Sequence, residues 1–320
     1  MSIGTGGGAV EDVMTRIASP AMRALIEAFA DNERERVLAR DLESGRWPSA
    51  DLLKELDSFS DRWDTRQGRE RHLAVPLNLT TEQEQLALAV AEDLGMCAGA
   101  QGTGRRYDHL LILGGTVGGC LFRTASAAHL TKSRQVTANS VVALGGYRRF
   151  SGDEFALAEA VGAPDLDEEY AALDYGTRVA FGLDEPVAVE GEGTPPSAGA
   201  WSVRHYRHGN SEIRVAAAPS REPAERRANT ADTYAFFAKR LATLQPGERI
   251  LIVTSCINVP SQHATALRML ALPYGAEVDT VGHVPEIISP VLAETESAAK
   301  YLLEVRSFIR SLRKLGAALR

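Results

Sequence analysis

The stretch Tyr107-Asp108-His109-Leu110-Leu111-Ile112-Leu113-Gly114-Gly115-Thr116-Val117-Gly118-Gly119 decides how this chain is read. An apolar run of the kind that fills a strand buried on both faces passes straight into a glycine-rich turn, and a helical pattern containing Arg123 follows. Mononucleotide-binding α/β folds begin in this way. Glycines let a backbone approach a ligand closely, and the first N–H groups of the next helix lack internal partners and favour an anion. Gly114, Gly115 and Thr116 are therefore candidate ligand-binding residues. A Gly-Gly pair after a strand also makes a plain tight turn. The spacing is not G-x-G-x-x-G and no Gly-Lys-Ser/Thr follows, which disfavours a standard nicotinamide dehydrogenase and a P-loop ATPase.

Outward from this stretch, strand patterns recur at His109 to Leu113, Ser140 to Leu144, Glu212 to Ala217, Arg249 to Thr254 and Glu277 to Val281, with helical patterns between them. The alternation predicts an α/β fold, a Rossmann-like parallel sheet with helices on both faces, over residues 108–320. Residues 1–107 read as a helical N-terminal region. Ser19-Pro20 and Ser49 open helices there, and Thr80-Thr81-Glu82-Gln83-Glu84 opens a third. The charged run from Trp63 to Arg71 reads either as a solvated helix face anchored by its Trp or as the lining of a cleft. An insertion near 186–208 holds a loop from Glu190 to Ala200. It ends in an extra strand, Trp201 to Tyr206, paired with Glu212 to Ala217 through His208-Gly209-Asn210. Tyr301 to Leu312 forms an amphipathic closing helix, expected to dock on the sheet.

Composition narrows the function classes. The 320 residues are 44% hydrophobic and 24% charged, enough for one large or two modest cores. A net charge of -7 argues against a broad basic surface, so no nucleic-acid partner is expected. Cys97, Cys120 and Cys256 are scattered without paired spacing, which points away from zinc or a disulfide framework and gives no metal site. The glycine-rich start carries no basic segment before an apolar core, and no apolar run has the length to cross a bilayer. A cytoplasmic protein without a membrane partner is expected. The oligomeric state is not written in these features.

Ligands of open α/β sheets sit beyond the carboxyl ends of the strands, so residues just after each strand are the candidates for chemistry. The first strand offers Gly114, Gly115 and Thr116, with Arg123 beyond, and the second offers Gly145, Gly146, Arg148, Arg149 and Glu154. The third leads to Arg226, Asn229 and Thr230, and the fourth to Thr254, Ser255, Asn258 and His263. The arginines and glycine turns suit a phosphate or carboxylate, and Glu154 or His263 suits acid-base work. These positions are expected to share one cleft. Taken singly, each has a plainer reading, as a helix cap, a solvent-facing charge or a helix-surface residue.

The combination Leu111-Ile112-Leu113-Gly114-Gly115, Leu144-Gly145-Gly146 with Ser151-Gly152-Asp153-Glu154, Ala228-Asn229-Thr230 and Leu251-Ile252-Val253-Thr254-Ser255 resembles the SanA/YdcF family. This is a widespread bacterial domain whose members are linked to envelope processes and S-adenosylmethionine binding, and the resemblance covers roughly Asp108 to His283. It implies a Rossmann-like sheet with a polar cleft. Gly114 and Gly115 would form its first loop, Glu154 its acidic residue, Asn229 and Thr230 its Asn-Thr pair, and Thr254 and Ser255 would follow the fourth strand. The family carries His, Pro and Arg soon after Thr-Ser, where this chain has Asn258-Val259-Pro260-Ser261, so His263 is the residue that would replace the family His.

The leading expectation is an enzyme, a transferase or hydrolase, acting on a phosphorylated or nucleotide-like small anionic molecule. A non-catalytic binder of a nucleotide or S-adenosylmethionine is the alternative, because no nucleophile with an adjacent base stands out. A structural or interaction protein is the third reading.

Overall fold

A seven-stranded sheet organises the chain in a computed structural model that describes residues 7–42, 47–68, 73–97, 99, 104–209, 211–284 and 296–320. Its strands are β1 (Arg106–Leu113), β2 (Thr137–Gly145), β3 (Ala188–Glu192), β4 (Trp201–His208), β5 (Ser211–Ala217), β6 (Arg249–Val253) and β7 (Glu277–Val281). They lie in the order β3-β4-β5-β2-β1-β6-β7. β5, β2, β1, β6 and β7 are parallel, and β3 and β4 extend the sheet as an antiparallel hairpin beside β5. Among the parallel strands the chain runs outward from β1 to β2 and β5, then returns to the other side of β1 for β6 and β7. That reversal between β1 and β6 is a topological switch point.

The apolar runs explain why these strands lie inside. Residues 110–113, 141–145 and 250–253 are all buried, so both faces of the central strands are covered and the hydrophobic pattern is continuous rather than alternating. Burying each Leu, Ile or Val side chain contributes about 1.5–3 kcal/mol.

In chain order the helices are α1 (Gly7–Thr15), α2 (Pro20–Phe29), α3 (Glu33–Asp41), α4 (Ala50–Ser60), α5 (Thr81–Asp93), α6 (Val117–Lys132), α7 (Glu154–Ala160), α8 (Glu169–Phe181), α9 (Thr230–Phe236), α10 (Val259–Ala266), α11 (Leu272–Tyr274) and α12 (Ala298–Ala318). A π-helical turn, Phe237–Ala242, prolongs α9. The β1-α6-β2 and β2-α8-β5 crossovers advance in one direction along the sheet, and α6 packs on α8. The connection through α9 returns the opposite way. Right-handed crossovers therefore place α6 and α8 on one face and α9 on the other. No described helix is long and apolar enough to cross a membrane.

Two compact units result. The sheet unit comprises Gly99–Ser255 and Met269–Ala293, and the helical unit comprises Ile3–Ala98, Cys256–Arg268 and Glu294–Arg320. Within the helical unit Ser19 accepts from the Met22 N–H with Pro20 in the first turn, Ser49 accepts from Leu52, and Thr80 and Gln83 cap each other. Trp63 is a core anchor, packed edge-on against Phe29 and Phe59. Arg69, Glu70 and Arg71 of its charged run, and Asn210 of the hairpin turn, lie outside the described residues.

Two expectations about elements change. α12 packs on α4, α5 and α10, burying Leu302, Val305, Phe308, Ile309, Leu312 and Leu315, so the closing helix belongs to the helical unit. The segment expected to be a loop near Glu190 contains β3, whose residues are exposed throughout and which forms by pairing its backbone with β4.

Candidate functional site

Beyond the carboxyl ends of β1 and β2, one arginine organises the polar groups. The loop after β2 runs beside the segment entering α8, with the Phe150 N–H donating to Asp167 and the Glu169 N–H to Arg148. This pairing brings Arg148 to Glu169. The Arg148 guanidinium donates to both Glu154 oxygens at 2.7 Å, to Glu169 Oε2 at 3.0 Å and to the Gly115 carbonyl at 2.7 Å. Glu154 also accepts the N–H groups of Ser151 and of Val117, the first residue of α6, each at 3.1 Å. It thus occupies an orphan donor at that helix start.

The two carboxylates around Arg148 diverge. Burial raises the Glu154 carboxyl, but its bonds to Arg148 and to the Ser151 and Val117 N–H groups outweigh that and hold it below the ordinary range. Burial prevails at Glu169, which is pushed above the ordinary range despite Arg148, Arg123 and the Gly146 N–H. Its side chain is 14% exposed. A Cβ on Gly114 would fall within the Glu169 carboxylate, and one on Gly145 would lie 3.0 Å from Glu169 Oε1. These glycines therefore leave room for a side chain of the protein itself.

Arg123 links β1 to β6. From the second turn of α6 it donates to the Leu113 carbonyl at 2.9 Å, to the Gly114 carbonyl, and to Ser255 Oγ at 3.1 and 2.8 Å. Thr116 caps α6 by accepting from the Gly119 N–H at 3.2 Å. Thr254, whose N–H continues the sheet by donating to Val281, is fully buried and its hydroxyl has no hydrogen-bond partner. Tyr234 on α9 is likewise fully buried with an unpartnered hydroxyl. Burial raises its phenol pKa against the pull of Arg123. His283 beyond β7 feels the same guanidinium, and burial with that charge lowers it to about 4.

The remaining candidates separate. Asn229 lies at this end of the sheet, since a Cβ on Gly146 would meet Ala228 at 3.5 Å. Its side chain caps α9, accepting from Ala231 and Asp232, while Asp232 accepts from the Asn229 N–H. Thr230 is the first residue of that helix. Arg226 closes on Glu222 at 2.6 Å and on Asp232, whose pKa falls to about 2 because Arg226, Arg221 and the Asn229 N–H outweigh its burial. Arg149 pairs with Asp167. Asn258 and His263 belong to the helical unit, and His263, 2% exposed, is lowered to about 4 by burial and by Arg16. His263 is thus a neutral buried ring of the helical unit.

Sequence reading passed over Glu169, which sits in the first turn of an ordinary-looking helix. No local pattern marks it. The available hint was indirect, because adjacent strands that each run out at a glycine, Gly114 after β1 and Gly145 at the end of β2, leave space that some other group fills.

Comparison with known proteins places these features in a family. A family profile described as Rv3785 N-terminal domain matches residues 6–95. The uncharacterized proteins Rv3785 of Mycobacterium tuberculosis (strain ATCC 25618 / H37Rv) and Mb3814 of Mycobacterium bovis are each 31% identical to this chain over 328 residues, covering 93% of it and 90% of the relative. No solved structure gives a significant match. These findings overturn the SanA/YdcF resemblance. Its motifs are short, and local structure accounts for several of them: Gly114 and Gly145 make room for Glu169, Asn229 caps a helix, and Glu154 holds Arg148. With the match running over nearly its whole length, the chain belongs to the Rv3785 family.

Proposed function

We propose that the sheet unit binds a small anionic molecule of the phosphorylated or nucleotide-like class over the carboxyl ends of β1, β2 and β6. The observation that carries this reading is the reversal of strand order between β1 and β6, with the Gly114-Gly115-Thr116 turn into α6 on one side and Thr254-Ser255 on the other. Glu154 and Thr116 take the Val117 and Gly119 N–H groups at the start of α6, and Arg123 adds a buried positive charge beside that turn. Thr254 and Tyr234 each hold a hydroxyl that a ligand group could satisfy.

Calorimetric titration with nucleoside mono-, di- and triphosphates, with S-adenosylmethionine as the comparison, tests the reading. One phosphorylated ligand is expected to bind. Thr254→Val should weaken it about fivefold by losing one hydrogen bond of about 1 kcal/mol, without lowering the melting temperature. Absence of binding by every nucleotide at millimolar concentration, or unchanged affinity in both Thr254→Val and Tyr234→Phe, refutes it.

Turnover is the second reading, favoured by the divergence of Glu154 and Glu169 around Arg148. Two carboxylates driven apart by their surroundings suit an acid-base assignment, with Glu169 as the group raised toward the acid role and Glu154 as the one held low. Glu169→Gln should then retain the ligand and abolish its conversion, followed by chromatography of the nucleotide. Equal conversion by the variant and the parent would remove Glu169 from that role.

A further inference from the structure

The amino end of the same sheet carries polar side chains on the face toward α9. His109 of β1 pairs in register with Ser140 of β2, which pairs with Glu212 of β5. Parallel neighbours in register project to one face, and Arg214, two residues beyond Glu212, shares it. The ring of Phe237 stands edge-on to His109 at 5.2 Å, and Arg214 donates to the Leu241 carbonyl at 2.6 Å, so the π-helical turn packs against these two members of the row.

Within the row, His109 Nδ1 lies 2.8 Å from Ser140 Oγ, and its Nε2 lies 3.7 Å from the carboxylate of Glu248, the residue before β6. At that separation Nε2 is buried without a hydrogen-bond partner, a contact of the kind that tightens when a site is occupied. A carboxylate on that side favours the proton on Nε2 and leaves the Nδ1 lone pair facing the serine hydroxyl. The imidazole side chain is 12% exposed. Burial lowers its pKa, Glu248 and Asp108 raise it, and Arg214 lowers it, for a net fall. The ring is therefore neutral near pH 7 and able to accept a proton. Arg214 is 9% exposed, and its Nε is buried without a hydrogen-bond partner, 3.7 Å from Glu212.

We propose that Ser140 is an activated nucleophile, with His109 as its base and Glu248 orienting the ring, in a site that takes ester or thioester acyl donors. The arrangement has the nucleophile, base and orienting group of serine acyl transfer. Ser140 Oγ bonds to the acyl carbon while its proton passes to His109 Nδ1. The bond from that carbon to the leaving oxygen or sulfur then breaks, and the leaving atom takes the proton from His109. Water repeats the sequence, freeing the acid and restoring the hydroxyl. Arg214 supplies buried positive charge on the same face for the developing oxyanion.

A packing role alone would leave Ser140 with ordinary alcohol reactivity, and a fluorophosphonate probe separates the two cases. In that reaction the Oγ–P bond forms and fluoride leaves, so mass spectrometry of the full chain locates the adduct. Ser140 is expected to be labelled, about 100-fold more slowly in His109→Gln, with a smaller reduction in Glu248→Gln. The labelling rate of the parent should fall as pH drops through a value below 6.5, the ordinary value for histidine. This profile serves as the test if circular dichroism shows that His109→Gln fails to fold. An unlabelled Ser140, equal labelling in a folded His109→Gln chain, or a rate independent of pH overturns the proposal.

Discussion

At the carboxyl end of the sheet Arg148 closes on Glu154, Glu169 and a carbonyl, whereas at the amino end a neutral His109 faces the Ser140 hydroxyl with a carboxylate behind it. Charge partners saturate the first region. Burial leaves a usable lone pair in the second. The contrast teaches that a dense cluster of charged residues and a reactive group are different things, because each charge-assisted bond that secures a side chain also occupies it. Within the Arg148 network the same lesson applies on a smaller scale, since Glu154 is engaged on both oxygens while Glu169 keeps its proton more readily.

The largest expected effect comes from breaking the saturated region. Arg148→Ala leaves two largely buried carboxylates without their cation, and should cost about 3–5 kcal/mol in urea denaturation near pH 7. The deficit should shrink in acid as both carboxylates take up protons. A loss under about 1 kcal/mol would mean that the network is not closed in solution.

A smaller effect separates the two carboxylates. Glu154→Gln should lose about 1.5–3 kcal/mol at neutral pH, the worth of hydrogen bonds to a charged group. The folded pKa of Glu154 lies below the ordinary 4.5, so the stability from its ionisation is present above that pH and disappears as pH falls through the folded value. For Glu169 the sign reverses. Its folded pKa lies above 4.5, so the protonated form contributes stability below that pH, and the contribution is lost as pH rises through the folded value. Glu169→Gln should accordingly be neutral or stabilising at pH 7. Parallel pH-stability curves for the two variants would erase the distinction.

The smallest effects concern the unpartnered hydroxyls. Tyr234→Phe and Thr254→Val each remove a buried polar atom that makes no hydrogen bond. Each should leave the ligand-free protein unchanged or more stable by up to about 1 kcal/mol in thermal melts. Destabilisation beyond that would reveal a partner for the hydroxyl.

Much of the fold was legible because its signals are local. The apolar runs of β1, β2 and β6, the caps Ser19, Ser49 and Thr80, and the turn at Gly114-Gly115 are read from residues a few places apart. β3 was not legible, because residues exposed on both faces carry no hydrophobic alternation and take strand form only by pairing with β4. The candidate site was legible in part. Glycine turns and arginines were found where strand ends put them, yet Arg148, Arg149 and Arg226 proved to face carboxylates of the protein. His109 and Ser140 left only a weak trace, as the polar residues that stand at the start of the apolar runs of β1 and β2.

By itself, then, the sequence determined the succession of the parallel strands and of the capped helices, since hydrophobic periodicity and capping act over one or two turns of chain. Tertiary structure alone decided which side chains meet. Glu169 reaches Arg148 from 21 residues away, Ser255 reaches Arg123 from 132, and His263 joins the helical unit, because such pairings depend on strand order and crossover direction rather than on neighbouring residues.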